Sequence, residues 1–142
     1  MVLTNFEMKH SIILLLWLLS CFYSFAEAKL SFIDSVLVND SIHEEEKYAF
    51  FHFRYTNLGD TPLYLVSAKC ECPCTSATFS EEALAPGDTA IIVVRYEAKQ
   101  RPGKVDKTVI VTYNSIDPDE FVSIDIKGYV IPRKEDEYLE NE

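Results

Sequence analysis

Most of the chain consists of short segments in which apolar and polar residues alternate. Residues 48–56 show this pattern most clearly. A period of two is typical of a β-strand, because successive side chains of a strand point to opposite faces of the sheet. We therefore predict that one face of this strand is buried, and that face consists of Ala49, Phe51, Phe53 and Tyr55. The opposite face carries Tyr48, Phe50, His52 and Arg54.

Similar segments recur along the sequence, and turn residues separate them. The predicted strands span residues 30–38, 48–56, 63–69, 75–79, 89–96, 105–114 and 121–130. The inward positions predicted for the last three are Ala90, Ile92, Val94 and Tyr96, then Val109, Val111 and Tyr113, then Val122, Ile124, Ile126 and Val130. The predicted turns include 39–41, 57–60 and 85–88, which are rich in Asn, Asp, Gly and Pro. No amphipathic helix of useful length accompanies the strands. About seven short strands at this spacing predict an all-β fold, namely a β-sandwich.

The N-terminal residues depart from this pattern and are typical of an export signal. The apolar run 12–19 follows Lys9 and His10 and precedes Ala26-Glu27-Ala28. A basic start, a short apolar stretch and a small-x-small exit are the parts of a secretory signal peptide. We predict a helical signal peptide at 1–28 with cleavage after Ala28, and a single domain at 29–131. The expected location is the periplasm or the cell surface.

The same segment also allows a lipoprotein signal. Residues 18–21 (LLSC) are similar to a lipoprotein box, in which Cys21 would become the lipidated first residue. Leu19 is bulky for its place in such a box, and residues 22–23 would give the mature chain an apolar start. Soluble export is therefore favoured, and contact with a membrane is expected only if Cys21 is lipidated.

Charge limits the kinds of partner that the protein can bind. The formal net charge is −10 at pH 7. An acidic protein repels phosphate backbones, and no basic stripe interrupts the acidic residues, so we expect no nucleic-acid partner. The acidic residues 44–46 are predicted to form a solvated loop. The acidic segment 132–142 has little apolar surface to bury and is predicted to be a disordered tail.

Several motifs follow one another in an order typical of a known family. They are residues 51–59 (FHFRYTNLG), 72–75 (CPCT), 86–88 (PGD), 92–96 (IVVRY) and 126–130 (IKGYV). From about Tyr48 to Val130 the chain resembles the bacterial family catalogued as domain of unknown function 1573. The resemblance implies an immunoglobulin-like antiparallel sandwich, similar to Hydin and major-sperm-protein domains, in a periplasmic or surface-exposed protein. It implies no activity, because none is established for the family.

Three thiols lie close together, at Cys70, Cys72 and Cys74. The family's loop reads Cys-Gly-Cys-Thr, so Pro73 and the extra Cys70 are departures from it. In an oxidising compartment a disulfide is the default for paired cysteines, and one of three thiols stays unpaired within the chain. In an extended strand, residues two apart are separated by about 6.5–7 Å, which would make a Cys72–Cys74 bond awkward. A Cys70–Cys74 bond would close a slightly larger loop.

The alternative for this loop is a functional thiol site. Thiolates bind soft metals such as Cu and Zn, and Cys70, Cys72 and Cys74 could act together as ligands. Zinc sites usually need four ligands at spacings such as Cys-x2-Cys, and a redox site usually has Cys-x-x-Cys at a helix start. We therefore expect a structural or labile disulfide and no cofactor, with Cu or Zn binding as the alternative.

An exposed aromatic patch is the other candidate site. Tyr48 and Phe50 lie on the outward face of the predicted strand, and Tyr64 is expected on a neighbouring strand. The alternative is that the second sheet or the acidic tail covers these rings. The sequence contains no hydrolase elbow, zincin helix, phosphate loop or dinucleotide fingerprint, so we do not expect an enzyme. The sequence predicts a non-catalytic exported module that mediates protein-protein contacts at the bacterial cell envelope. A thiol-based metal or redox protein is the alternative.

Overall fold

In the computed structural model, which describes residues 26–134, two four-stranded sheets pack face to face. The strands are β1 Leu30–Phe32, β2 Val36–His43, β3 Tyr48–Asn57, β4 Leu65–Cys70, β5 Thr75–Thr78, β6 Thr89–Glu97, β7 Gly103–Tyr113 and β8 Phe121–Ile131. One turn of 3-10 helix, Glu44–Glu46, joins β2 to β3. The predicted all-β sandwich is confirmed.

The first sheet has the strand order β1-β3-β6-β5, and the second has the order β2-β8-β7-β4. All pairs of neighbouring strands are antiparallel except β2 and β8, which run parallel. The prediction of an antiparallel sandwich is therefore wrong for this pair. A parallel pair needs a long connection between its strands, and here the connection contains most of the domain.

The predicted strand at 30–38 is in fact two strands in different sheets. β1 pairs with β3 in the first sheet, whereas β2 pairs with β8 in the second. The chain bends at residues 33–35 between them, so the described residues form eight strands rather than about seven. Residues 39–41 are not a turn but part of β2, whose register shifts between Asn39 and Ile42. Both halves favour β structure, and the local pattern could not reveal the change of sheet.

The hydrophobic core lies between the sheets and follows the alternation. The four residues of β3 predicted to be buried are between 1% and 6% exposed. The other central strands supply Ile92, Val94, Tyr96, Val105, Val109, Val111, Tyr113, Ile124, Ile126 and Val130. Ala90 and Val122, also predicted to face inward, are half buried against this core. Because a fully buried large apolar side chain contributes about 1.5–3 kcal/mol, the alternation accounts for the main source of stability.

Glu44 is buried, although the sequence predicts a solvated loop at this position. It is 5% exposed, and its carboxylate accepts hydrogen bonds from the backbone N–H groups of Gln100 (Oε1, 2.8 Å) and Arg133 (Oε2, 3.1 Å). The prediction is wrong for Glu44 because both donors are distant in sequence. The carboxylate connects three segments: the β2–β3 connection, the β6–β7 connection and the residues after β8.

Asn57, the last residue of β3, has the same role at the opposite end of the sandwich. It is fully buried, and its side-chain amide nitrogen donates to the backbone carbonyls of Thr61 (2.8 Å) and Leu84 (3.0 Å). Its Oδ1 accepts from the N–H of Gly59 at 2.9 Å. The amide therefore holds two separate loops together.

Two predicted turns lie at the Asn57 end of the sandwich. At 85–88 the prediction is confirmed, since Gly87 has φ +83° and the N–H of Asp88 donates to the carbonyl of Ala85 at 3.0 Å. At 57–60 the turn exists, but neither Asn57 nor Gly59 has a positive φ. Gly59 is needed there for a different reason, a close approach of the backbone of residues 27–29.

Some predictions concern residues outside the described range. They are the signal helix up to residue 25, the lipidation site Cys21 and residues 135–142 of the predicted tail. From residue 26 to residue 134, no helix is both long and apolar enough to cross a membrane.

Candidate functional site

The cysteine loop crosses from the second sheet to the first. β4, an edge strand of the second sheet, ends at Cys70, and β5, an edge strand of the first, begins at Thr75. A turn between them is closed by a hydrogen bond from the N–H of Thr75 to the carbonyl of Cys72 at 3.0 Å. The carbonyl of Cys74 accepts from the N–H of Glu97 at 2.8 Å. The loop is therefore fastened to the end of β6.

Cys72 and Cys74 are joined by a disulfide, and Cys70 is a free thiol. The expectation that a Cys72–Cys74 bond is awkward assumed an extended segment, and that assumption is wrong. The turn brings the two Cα atoms to 5.1 Å, within the range of about 4.4–6.8 Å that a disulfide requires. Cys74 is 4% exposed and belongs to the core. One end of the bond is thus anchored in the interior.

Cys70 lies opposite Val109 of β7 and packs, half buried, against the core. Burial raises the pKa of the Cys70 thiol, and only the thiolate is a good nucleophile or metal ligand. The disulfide and this raised pKa both reduce the amount of thiolate in the loop. In the described part of the chain, no group of three or more His, Cys, Asp or Glu side chains is arranged to hold a metal ion.

The second candidate site is the outward face of the first sheet, where β3 pairs with β6. Directly paired residues of antiparallel strands lie on the same face, so the register gives the rows of this surface. The rows are Tyr48–Glu97, Phe50–Arg95, His52–Val93 and Arg54–Ile91. The N–H of Ile33 donates to the carbonyl of Arg54 at 3.0 Å and extends the last row. We call this surface the arginine-aromatic face; it consists of Ile33, Tyr48, Phe50, His52, Arg54, Ile91, Val93 and Arg95. Glu97 lies at its edge, where its carboxylate is 4.0 Å from the guanidinium of Arg101.

The arginine-aromatic face combines exposed apolar area with positive charge. Phe50 is 56% exposed and Ile33 is 62% exposed. The guanidinium of Arg95 lies 4.8 Å from the centre of the Tyr48 ring, which is a cation–π contact. Among residues 26–134, no carboxylate oxygen lies within 4.0 Å of the guanidinium of Arg54 or of Arg95. Both guanidinium groups can therefore accept an acidic partner.

A shallow cleft of about 280 Å³ lies at one corner of this face. Its lining residues are Ile33, Asp34, His52, Phe53 and Arg54. His52, which the sequence predicts on the outward face of its strand, therefore belongs to the candidate surface.

Of the three predicted aromatic residues, the structure brings Tyr48 and Phe50 together but not Tyr64. Tyr64 precedes β4 in the second sheet, where its N–H donates to Oδ1 of Asn114 (2.9 Å) and its carbonyl accepts from the N–H of Asn114 (3.2 Å). The expectation that Tyr64 neighbours them is wrong because β3 lies between β1 and β6. Strand order does not follow from alternation.

Sequence reasoning did not select Ile91, Val93, Arg54 or Arg95 as site residues. A signal was present for β6, because the inward set predicted for that strand leaves Ile91, Val93 and Arg95 on the outward side. Their contact with β3 depends on the β3–β6 register, which the sequence does not give.

The outward face of the second sheet differs because two of its lysines have an acidic neighbour. Lys104 and Lys127 lie 3.6 Å and 3.8 Å from the carboxylate of Asp106. The hydroxyl of Thr108 donates to Oδ1 of Asp125 at 2.7 Å. Such exposed ion pairs contribute only about 0–1 kcal/mol each, but they balance the charge locally.

Solved structures with a similar fold include proteins of different kinds. A protein of unknown function from Porphyromonas gingivalis W83 gives a TM-score of 0.60 at 15% identity, covering 76% of this chain and 50% of that one. The VesB protease of Vibrio cholerae gives 0.57 at 17% identity, covering 70% and 31%. A PapD-like domain of human CEP192 gives 0.54 at 8% identity, covering 76% and 89%.

The present chain therefore spans half the length of the P. gingivalis protein and 31% of the VesB chain. At these identities the similarity shows the fold alone, a PapD-like or immunoglobulin-like β-sandwich. The comparison with curated proteins found no match. A family model, however, matches residues 30–130, from the first residue of β1 to the next-to-last residue of β8. The chain therefore belongs to the family described as "Protein of unknown function (DUF1573)".

Proposed function

We propose that this chain is a non-catalytic, exported module of the bacterial cell envelope that binds a partner protein through the arginine-aromatic face. The observation that supports this function is the exposed apolar area of Phe50, Ile33 and Ile91 beside two arginines that form no ion pair within 4.0 Å in the described chain. Contiguous exposed apolar patches mark interaction sites, and aromatic residues and arginine are enriched at interfaces.

The partner segment that fits this face is acidic and carries apolar side chains. The protein as a whole has a net charge of −10, so the locally unbalanced charge of Arg54 and Arg95 stands out against an acidic background. Guanidinium groups bind carboxylates with two parallel hydrogen bonds, and apolar side chains of the partner would cover Phe50 and Ile91. On the second sheet, Lys104 and Lys127 lie beside Asp106, so the attraction of an acidic partner to them is weaker.

The test measures binding of the purified protein to immobilised peptides of equal length that differ in net charge and in aromatic content. We expect the acidic peptides that contain aromatic or aliphatic residues to bind best, and we expect their binding to weaken as salt is added. Equal binding of basic and acidic peptides would contradict the proposal.

Charge reversal provides the matched comparison. The double variant Arg54→Glu/Arg95→Glu should lose about tenfold or more in affinity for the acidic peptides, and Phe50→Ala should lose a similar factor. The control Lys104→Glu/Lys127→Glu makes the same change in net charge on the other sheet and should stay within about twofold. If both double variants lose equally, the effect is one of net charge, and the face is not the site.

The disulfide favours a second proposal, thiol chemistry at the cysteine loop. Reduction of the Cys72–Cys74 bond by an external dithiol, which is itself oxidised to a disulfide, would place three thiols at Cys70, Cys72 and Cys74. Such a loop could bind Cu or Zn. The test is the metal content of protein purified under reducing conditions. Stoichiometric metal that the Cys70→Ser/Cys72→Ser/Cys74→Ser variant lacks would support this second function, and its absence would oppose it.

A further inference from the structure

We infer that the export signal is removed by hydrolysis of the Ala26–Glu27 bond, so that the mature chain begins at Glu27. This site lies two residues before the one that the sequence favours. The inference rests on the predicted export of the chain and on the contacts that residues 27–29 make with the folded domain. It does not depend on the arginine-aromatic face.

Residues 27–29 are part of the sandwich. The N–H of Glu27 donates to Oδ1 of Asp60 at 2.7 Å, and the carbonyl of Glu27 accepts from the N–H of Asp60 at 3.0 Å. The carbonyl of Lys29 accepts from the N–H of Leu58 at 2.8 Å. The segment therefore pairs with the β3–β4 connection on both sides of Gly59.

Gly59 shows how closely the two backbones pack. A Cβ atom at this position would lie 2.1 Å from the carbonyl oxygen of Glu27 and 2.6 Å from the backbone nitrogen of Lys29. Ala28, between them, is 2% exposed and belongs to the hydrophobic core. The absence of a side chain at residue 59 is thus explained by the presence of residues 27–29.

Cleavage after Ala28 would remove the contacts of Glu27 and Ala28 and keep only those of Lys29. It would take Ala28 out of the core and leave the N–H of Asp60 without the carbonyl that it now binds. Cleavage after Ala26 keeps every one of them. It also meets the small-x-small requirement of a leader peptidase, because Ser24 and Ala26 occupy the third and first positions before the bond.

The chemistry of the cut also suits this bond. Water adds across the peptide: Ala26 departs with the leader as a carboxylate, and the nitrogen of Glu27 takes up protons to become an ammonium group. That nitrogen already lies 2.7 Å from the carboxylate of Asp60. Charge-assisted hydrogen bonds are roughly twice as strong as neutral ones, so cleavage here strengthens the contact.

The first experiment produces the full precursor in a bacterium and determines the N-terminal residue of the exported protein by mass spectrometry. We expect Glu27. A chain that begins at Lys29, a lipidated chain that begins at Cys21, or an exported chain with an intact leader would each overturn the inference.

A variant of the leader distinguishes the two cleavage sites. Ser24 is the third residue before the Ala26–Glu27 bond but the fifth before the Ala28–Lys29 bond, so Ser24→Phe should slow processing about tenfold or more only if the first bond is cut. Normal processing of Ser24→Phe would overturn the inference.

A folding measurement provides evidence independent of the peptidase. Two chains with scarless N-termini at Glu27 and at Lys29 are compared by urea unfolding. The Lys29 chain should have a folding equilibrium constant at least about tenfold lower. Asp60→Asn should lower the constant severalfold in the Glu27 chain and leave the Lys29 chain nearly unchanged. Equal stability of the two chains would contradict the role assigned to Glu27 and Ala28.

Discussion

The two ends of the sandwich are each closed around one buried polar side chain, but the two side chains differ in chemistry. At the Asn57 end, a neutral amide binds backbone groups of Gly59, Thr61 and Leu84. At the Glu44 end, a carboxylate binds backbone N–H groups from residues 100 and 133. An amide both donates and accepts, whereas a carboxylate only accepts and keeps its charge away from water.

The backbone conformation near these two side chains also differs between the two ends. At the Asn57 end the positive φ of +83° belongs to Gly87, which adopts it without strain. At the Glu44 end Lys47 and Gln100 have φ values of 65° and 58°, which are uncommon for residues with a side chain. Both donate their N–H groups to Glu44, Lys47 to its carbonyl and Gln100 to its carboxylate. The comparison indicates that one end is favoured by its residue types and the other is held by a single charged group.

The largest expected effect comes from the amide. Asn57→Ala removes three hydrogen bonds and takes away the partners of the Thr61 carbonyl and the Gly59 N–H, so we expect the free energy of unfolding to fall by about 3 kcal/mol. Asn114→Ala is the control, because this half-buried residue binds Tyr64 and Pro62 near the surface; it should cost about 1 kcal/mol. Urea denaturation measures both values. Equal losses would show that burial does not distinguish the two amides.

Removal of the carboxylate should have the next largest effect. Glu44→Ala deletes the acceptor for two backbone N–H groups and should cost about 2 kcal/mol in urea denaturation. Its exposed neighbours Glu45 and Glu46 are matched controls, and their alanine variants should stay within about 0.5 kcal/mol of the parent. Gln100→Gly should stabilise the Glu44→Ala variant, since glycine tolerates the positive φ. If it does not, the strain at residue 100 is not what Glu44 offsets.

The disulfide near the Glu44 end should contribute less than either buried polar group. By the chain-entropy estimate, a loop this short contributes about 1.5 kcal/mol. Cys72→Ala/Cys74→Ala should therefore lower the free energy of unfolding by about that amount, and adding a reductant to the parent should have a similar effect. Cys70→Ala is the control and should remain sensitive to reductant. A parent whose urea midpoint ignores reductant would refute the prediction.

We expect alkaline pH to have the smallest effect on the free energy of unfolding, and only where the thiol and the tyrosines ionise. Burial raises the pKa of Tyr55 and Tyr96 above the usual value near 10, and the pKa of Cys70 is raised for the same reason. A raised pKa in the folded state means that the unfolded chain loses its proton first. Stability is therefore complete below the pKa of the unfolded chain and is lost as pH rises from there through the raised pKa of the folded state. Urea midpoints measured from pH 8 to pH 11 should decline above about pH 9.

Tyr96→Phe, measured in the Cys70→Ser background, should flatten the decline above pH 10. The cysteine replacement prevents thiolate attack on the disulfide at high pH. A profile that is unchanged by both replacements would mean that other groups cause the loss of stability.

The sequence was sufficient to predict which residues of β3, β6, β7 and β8 form the core. In a sandwich each of these strands has one face inside, so a period of two can be read without knowing the neighbours. The turn at 85–88 was predictable for a similar reason, because proline and glycine specify its backbone angles locally.

The polar contacts at the two ends and the arginine-aromatic face were not predictable in the same way. The burial of Glu44 depends on N–H groups 56 and 89 residues away, and the row formed by Phe50 and Arg95 depends on strand register. Tyr64 was misplaced because strand order is a tertiary property. A disulfide in the cysteine loop was predicted, but its pairing was misjudged, because the Cys72–Cys74 distance depends on a turn that the spacing of the cysteines does not predict.

The parallel pairing of β2 with β8 has a consequence for how the protein folds. Val36 lies opposite Asp125, and Ile42 lies opposite Val130, so the edge strand β2 pairs with residues that are almost ninety positions away in sequence. Contacts that span so much of the chain close slowly. β2 therefore cannot complete its sheet until β8 has formed, so we expect this edge of the sandwich to close late in folding.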